Sequence, residues 1–149
     1  MYKIIIKKKV AMFSTDGMIL NHDFEHGRLE LTFSGKMELE EFQSSCLRAL
    51  DYASNAYVWS WLVDLQDTPL LDDAQETWLA TELLPVLMVR MGAGILLAVV
   101  ISEESYQELF LNVGEQGLQS CNSFISIRTF CDVQKAREWL GNQRISNAS

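Results

Sequence analysis

The sequence predicts an α/β (α+β) fold: a mostly parallel or mixed central sheet with helices, and antiparallel strands at the N-terminus. Three observations support this. From residue 28 to residue 140, apolar runs of strand length alternate with segments of helical spacing, an order that means crossover units around a sheet. The first third holds strand-like runs separated by turn clusters. Two runs, 58–65 and 94–101, are apolar nearly throughout, as are strands covered on both faces.

Taken in order, Ile4 to Phe13 reads as a strand and Ser14-Thr15-Asp16-Gly17 as a turn. Met18-Ile19-Leu20 makes a short strand and His26-Gly27 a hairpin turn. Leu29, Leu31 and Phe33 then alternate with Arg28, Glu30 and Thr32, the period of a half-buried strand. Leu39, Phe42, Cys46, Ala49, Leu50 and Ala53 fall on one helical face. Glu38, Glu40 and Glu41 stand at its start, where the helix dipole favours negative charge. Val58 to Leu65 is the next strand. Asp72 or Asp73 opens a second helix, since Gln75 and Glu76 follow each at capping-box spacing. Pro85 must kink or split that helix, because it lacks an N–H and clashes with the preceding turn. Gly92 stops it.

Gly94 to Ile101 is the most apolar run and the candidate for a central strand. Ser102 caps a helix containing Tyr106, Leu109, Phe110 and Val113. Residues 114–122 read as a loop, Phe124 to Phe130 as a strand, and Asp132 as the cap of a last helix that Gly141 ends. Residues 143–149 read as a frayed tail on a single domain spanning 1–149.

A chain of 149 residues with 48% hydrophobic and 21% charged residues builds a full core without disulfide or metal. The net charge of −8 argues against nucleic acid, whose phosphates need clustered Lys and Arg. The charge is uneven: residues 37–82 contain ten acids and only Arg48. Lys7-Lys8-Lys9 reads as a solvated edge strand. The N-terminal apolar run is too short for a secretory signal, and no run is long enough for a transmembrane segment. Cys46, Cys121 and Cys131 are odd in number and widely spaced, which points to reduced thiols and a cytoplasmic protein.

With the strand Leu29 to Gly35, the central Leu62-Val63-Asp64-Leu65, the turn Gln66 to Asp72, and Phe130-Cys131-Asp132 with Ala136, Trp139 and Leu140 in place, the chain resembles the STAS domain. That family is shared by sulphate transporters and anti-sigma factor antagonists and has the SpoIIAA-like fold. The resemblance spans about residues 28–140 and is closest to uncharacterised bacterial relatives. It implies a regulatory, protein-binding module switched by phosphorylation of a Ser just after the Asp that starts the second helix. The matching positions are Asp73 and Ala74, so the phosphoacceptor is missing. Thr68 and Thr77 are the nearest hydroxyls, and neither sits where the family needs one.

Three further features are candidates for chemistry. His22-Asp23-Phe24-Glu25-His26 contains both histidines, but along an extended chain their side chains stand about 13 Å apart. Joint ligation would need a tight turn, and a polar hairpin is the simpler reading. Asp64, Asp67, Asp72 and Asp73 cluster near the C-terminal end of a presumed parallel strand, where α/β sheets bind ligands. Carboxylates there suit Mg²⁺, but strand-end, turn and cap roles account for them without an ion and are the simpler reading. Trp59 and Trp61, two apart, are expected on one sheet face together with Tyr57, as core or as an interface for a partner. No G-x-S-x-G, P-loop or G-x-G-x-x-G occurs.

The expectation is therefore a non-enzymatic STAS-like interaction module with no cofactor, no resident metal and no catalytic residues. It binds a protein partner or pairs as a homodimer through Asp64, Asp67, Thr68, Asp72, Asp73, Trp59 and Trp61. The alternative is a carrier of a small apolar, lipid-like ligand, with a pocket near residues 83–91 and a lid hinged at Pro85. A metal-dependent hydrolase built on the aspartates ranks last.

Overall fold

Strong β-formers in the first third and apolar runs further on assemble one mixed sheet. The computed structural model describes residues 9–15, 17–122 and 124–148. In it, seven strands are ordered β1-β2-β3-β4-β5-β7-β6. The first three, β1 (Lys9–Thr15), β2 (Met18–Asp23) and β3 (Arg28–Ser34), form an antiparallel meander. β3, β4 (Ser60–Asp67), β5 (Ile95–Val100) and β7 (Ile125–Phe130) run parallel. β6 (Gln119–Cys121) closes the far edge antiparallel to β7. The expected α/β architecture with N-terminal antiparallel strands is what forms. Ile4 to Lys8 and Asp16 lie outside the described residues, and Lys9 begins the edge strand β1.

The connections are helical. α1 (Leu39–Ser54) links β3 to β4 and buries Phe42, Cys46, Ala49, Leu50 and Ala53, the face its spacing predicts. Its start is closed by Glu41, whose carboxylate accepts from the Glu38 N–H at 3.2 Å. α2 (Asp73–Trp78), a π-helical turn (Leu79–Leu83) and α3 (Leu84–Met91) connect β4 to β5. α4 (Glu103–Val113) follows β5, with the Ser102 hydroxyl accepting from Ser105 N at 3.1 Å. α5 (Val133–Ala148) follows β7.

Alternation along the strands sends apolar side chains to both faces. Leu29, Leu31, Phe33, Trp61 and Leu65 meet α1 and α3 on one face. Leu62, Leu96, Ala98, Val100 and Phe130 meet Ala136 and Leu140 of α5 on the other.

Four expectations change. Pro85 does not split the helix into separate pieces. Its missing N–H is absorbed where the π turn hands over to α3, with Pro85 in the first turn of that segment. Residues 114–122 are not all loop, since Gln116–Leu118 form a 3-10 turn and β6 pairs with β7. The last helix does not end at Gly141 but continues to Ala148 through the expected tail, because a helical glycine costs only about 1 kcal/mol. Asp64 does not terminate its strand, because β4 runs on to Asp67.

Candidate functional site

Between the first sheet face and its helices lies a cavity of about 220 Å³. Its floor is Leu31, Trp61, Val63, Leu97, Val99 and Ile127 of the sheet. Its wall is Phe42, Cys46 and Leu50 of α1, and its roof is Leu79, Leu83, Leu84 and Leu87. Burial pushes the Cys46 thiol up to about 12, so this wall residue is a neutral, apolar contact.

The roof is thinly held. Across α2, the π turn and α3, only Gln75 and Leu87 are buried. Val89 points outward at 84% exposure. The π turn accounts for this: one extra residue advances the segment after it by about 100° relative to an unbroken α-helix. The apolar residues after Pro85 are therefore shared between the cavity and solvent. The roof is pinned at its start. Gln75 Nε2 donates to Met37 O at 3.0 Å, Asp72 N donates to Gln75 Oε1 at 3.0 Å, and Gln75 N donates to Asp72 Oδ1 at 2.8 Å.

A second concavity of about 200 Å³ adjoins the first and shares Phe33, Phe42, Leu65 and Leu71 with it. It opens between Gly35-Lys36-Met37 and Thr68-Pro69-Leu70, directly after the C-terminal ends of β3 and β4. That is where open α/β sheets place ligands. Lys36, Thr68, Asp72 and Gln75 give this mouth its polar lining.

Of the residues expected at a site, Thr68 and Asp72 reach this mouth. The other aspartates do not join them. Asp64 lies on the opposite face, accepting from Gln66 N at 3.0 Å. Burial raises its pKa, with the charge of Asp67 adding to the rise. Asp67 is exposed at the end of β4 and Asp73 is exposed in the first turn of α2. Among the described residues, the one gathering of three potential metal ligands is Asp23, Glu25 and His26, not the expected aspartates. In it the turn 24–27 folds His26 back so that its N–H and Nδ1 engage the Asp23 carboxylate at 3.2 and 2.9 Å, closing the hairpin. Burial opposes ionisation of Asp23, but the bonds and charges of His26 and Arg28 hold its pKa below the usual value. His22 stands apart, on the α1 side, hydrogen-bonded through Nδ1 to the Tyr52 hydroxyl.

Trp59 and Trp61 do not share a face. The Gly27 carbonyl accepts from both Trp59 N at 3.0 Å and Ser60 N at 3.3 Å, which breaks the alternation just before β4. Gly27 sits at φ +60, where a Cβ would stand 2.3 Å from the Trp59 indole nitrogen, so only glycine fits. Trp59 packs beside α5, Trp61 is buried in the α1 core, and Tyr57 is 69% exposed. Tyr57 and Trp59 instead line an open groove with His26, Arg28 and Glu138.

Beside that groove is a buried ionic set. Glu30, 4% exposed, accepts from Arg137 Nε at 3.2 Å and Nη2 at 2.9 Å, and lies 3.6 Å from Arg28 Nη1.

Sequence reasoning located the roof but missed the cavity floor, since apolar strand residues look the same packed or facing a void. The one available signal was Pro85 inside an apolar helix. No protein-family model matches the chain, and no curated protein matches it. No helix among the described residues is long and apolar enough to cross a membrane.

Proposed function

We propose that the protein binds a small apolar ligand between its sheet and the roof formed by residues 73–91. The observation behind this reading is the cavity of about 220 Å³, lined throughout by apolar, aromatic and thiol side chains. Close packing is the rule in protein interiors, and a dry apolar void of 150 Å³ already accepts benzene. Each buried methylene of a ligand gains roughly 0.8 kcal/mol, while an empty cavity is a standing cost. The weakly packed roof supplies a route of entry, and the polar mouth beside Lys36 and Thr68 offers a place for a ligand's solvated end.

Native mass spectrometry of the purified protein, followed by titration with medium-chain hydrocarbons and ketones, tests the reading. A bound mass removed by Leu83→Trp supports it. A bare protein that takes up no apolar compound overturns it.

A second reading, the interaction module, has its own support. Val89 of α3 and Leu111 of α4 are each 84% exposed, more than isolated surface leucines and valines need be. The acids of segment 37–82 stand mostly at one end of the sheet, on the start of α1 and the loop into α2, where a basic partner would meet them. The order of elements over residues 28–140 supports the STAS-like resemblance in this reading. The family's phosphorylation switch finds no hydroxyl at Asp73 or Ala74. Homodimer masses in the same spectrum would favour this second reading.

A further inference from the structure

We propose that Asp23, Glu25 and His26 bind one divalent transition-metal ion of the Zn²⁺ or Mn²⁺ class at the hairpin between β2 and β3. This site is separate from the apolar cavity, so its failure would leave the ligand-binding reading untouched.

The turn brings together side chains that an extended chain keeps apart. Asp23 ends β2, Arg28 begins β3, and Gly27 closes the turn between them at φ +60. One ligand atom each from Asp23, Glu25 and His26 then lie within 4.8 Å of one another. His26 Nδ1 stands 2.9 Å from Asp23 Oδ2. Two ligand atoms held at a right angle by one ion, each about 2.1 Å from it, stand about 3.0 Å apart. The pair already has that separation. On binding, the imidazole carries its proton on Nε2 and offers the Nδ1 lone pair, and the ion replaces the proton shared with Asp23.

Closure of the hairpin accounts for Asp23 and His26 but not for Glu25. Among the described residues, the Glu25 carboxylate makes no hydrogen bond or ion pair. It nevertheless stands beside a second carboxylate, and two such groups repel unless a cation is shared between them. The charge of Arg28 also reaches Asp23, but Arg28 is countered by Glu30 at 3.6 Å. Asp23 is ionised at neutral pH, because His26 and Arg28 hold its pKa below the usual value, so no proton has to leave it.

The three ligands differ in access. The Asp23 side chain is 11% exposed and anchors the site from within, whereas that of His26 is 50% exposed and Glu25 is exposed. Glu25 and His26 both line the open groove of about 570 Å³, so an ion between them keeps coordination positions for water or an exchangeable ligand. The donor set also sets the metal. An imidazole beside two carboxylates suits Zn²⁺ or Mn²⁺ better than Mg²⁺ or Ca²⁺, which take oxygen ligands.

Calorimetric titration of the full chain with ZnCl₂ tests the proposal. Saturable binding is expected, and a hundredfold excess of Mg²⁺ should not displace the ion. Glu25→Gln and His26→Gln should each weaken binding tenfold or more, at least the loss that follows removal of a group merely supporting a ligand. Glu138→Gln, which neutralises a carboxylate of the same groove outside the triad, should leave affinity within about twofold. A readout on wild-type protein requires no variant to fold: Mn²⁺ added to ¹⁵N-labelled chain should broaden the amides of residues 23–28 before any others. Absence of binding, equal affinity for Mg²⁺, triad variants that bind as wild type does, or broadening centred elsewhere would each overturn the inference.

Discussion

On one face of the sheet, α1 and the roof cover apolar floor residues and leave about 220 Å³ unfilled. On the other face, α5 covers a smaller apolar core, and beside it the buried Arg28 and Glu30 form an ionic set with the half-buried Arg137. The first face wastes packing energy and the second invests in desolvated charge. Both are departures from the cheapest core, but of opposite kinds. A void lined by hydrocarbon is soft and can be filled from outside. A buried ion set holds only while all its members are present, because removing one leaves an uncompensated charge. The contrast places adaptability on the roofed face and rigidity on the α5 face.

The ionic set offers the largest effect. Glu30→Ala should cost about 3–5 kcal/mol in denaturant unfolding, since it strands Arg28 in a site 4% exposed. A loss under about 1 kcal/mol would mean that this face is effectively solvated and that the contrast fails. Hydrogen exchange probes the other side. Amides of residues 79–91 should exchange about a hundredfold faster than those of residues 133–140, a difference near 2.7 kcal/mol in opening free energy. Equal protection would show the roof to be as well held as α5.

Filling the void should give a smaller gain. Leu83→Phe, at a half-buried roof position lining the cavity, is expected to stabilise by about 0.5–2 kcal/mol and to abolish uptake of apolar probes. Destabilisation would indicate that the cavity is already closed to extra volume.

The smallest effect is on pH. Burial lowers the pKa of His22 from its usual 6.5, against opposing contributions from the Tyr57 backbone and Asp23. The unfolded imidazole then takes up a proton that the folded one refuses. Stability is complete above about pH 6.5 and falls as the pH drops below it. Melting curves at pH 7.5 and 5.5 should show the decline, and His22→Gln should flatten it. Asp23, also depressed, acts in the same direction but below its usual 3.8. Asp64, raised by burial, acts oppositely, losing stability as the pH rises from 3.8.

Local patterns in the chain were enough for the elements. The alternation at Leu29, Leu31 and Phe33, the helical face from Leu39 to Ala53, and the caps at Ser102 and Asp132 each rest on neighbours a few residues apart. They appear where their spacing puts them. The short β6 was missed because Gln119-Ser120-Cys121 has no strand pattern of its own, and pairing with β7 makes it a strand. The helical end of α5 was missed because Gly141 weakens a helix without forbidding it.

The candidate site was legible only in part. Thr68 and Asp72 were expected near a sheet end and line the mouth. The aspartates were expected together and are dispersed: Asp64 lies on the α5 side near Arg137, Asp67 ends β4, and Asp72 and Asp73 stand at the start of α2. The two tryptophans were expected on one face and are separated where the Gly27 carbonyl accepts from both Trp59 N and Ser60 N.

The sequence by itself determined the α/β class and the order of the main strands and helices. These follow from periodicity, caps and backbone chemistry that act within a few residues. Only the tertiary structure decided that the floor faces a void, that Trp61 Nε1 is left without an acceptor, and that Glu30 sits between two guanidinium groups. Each depends on contacts between residues far apart in the chain, where close packing and desolvation, rather than local preference, set the outcome.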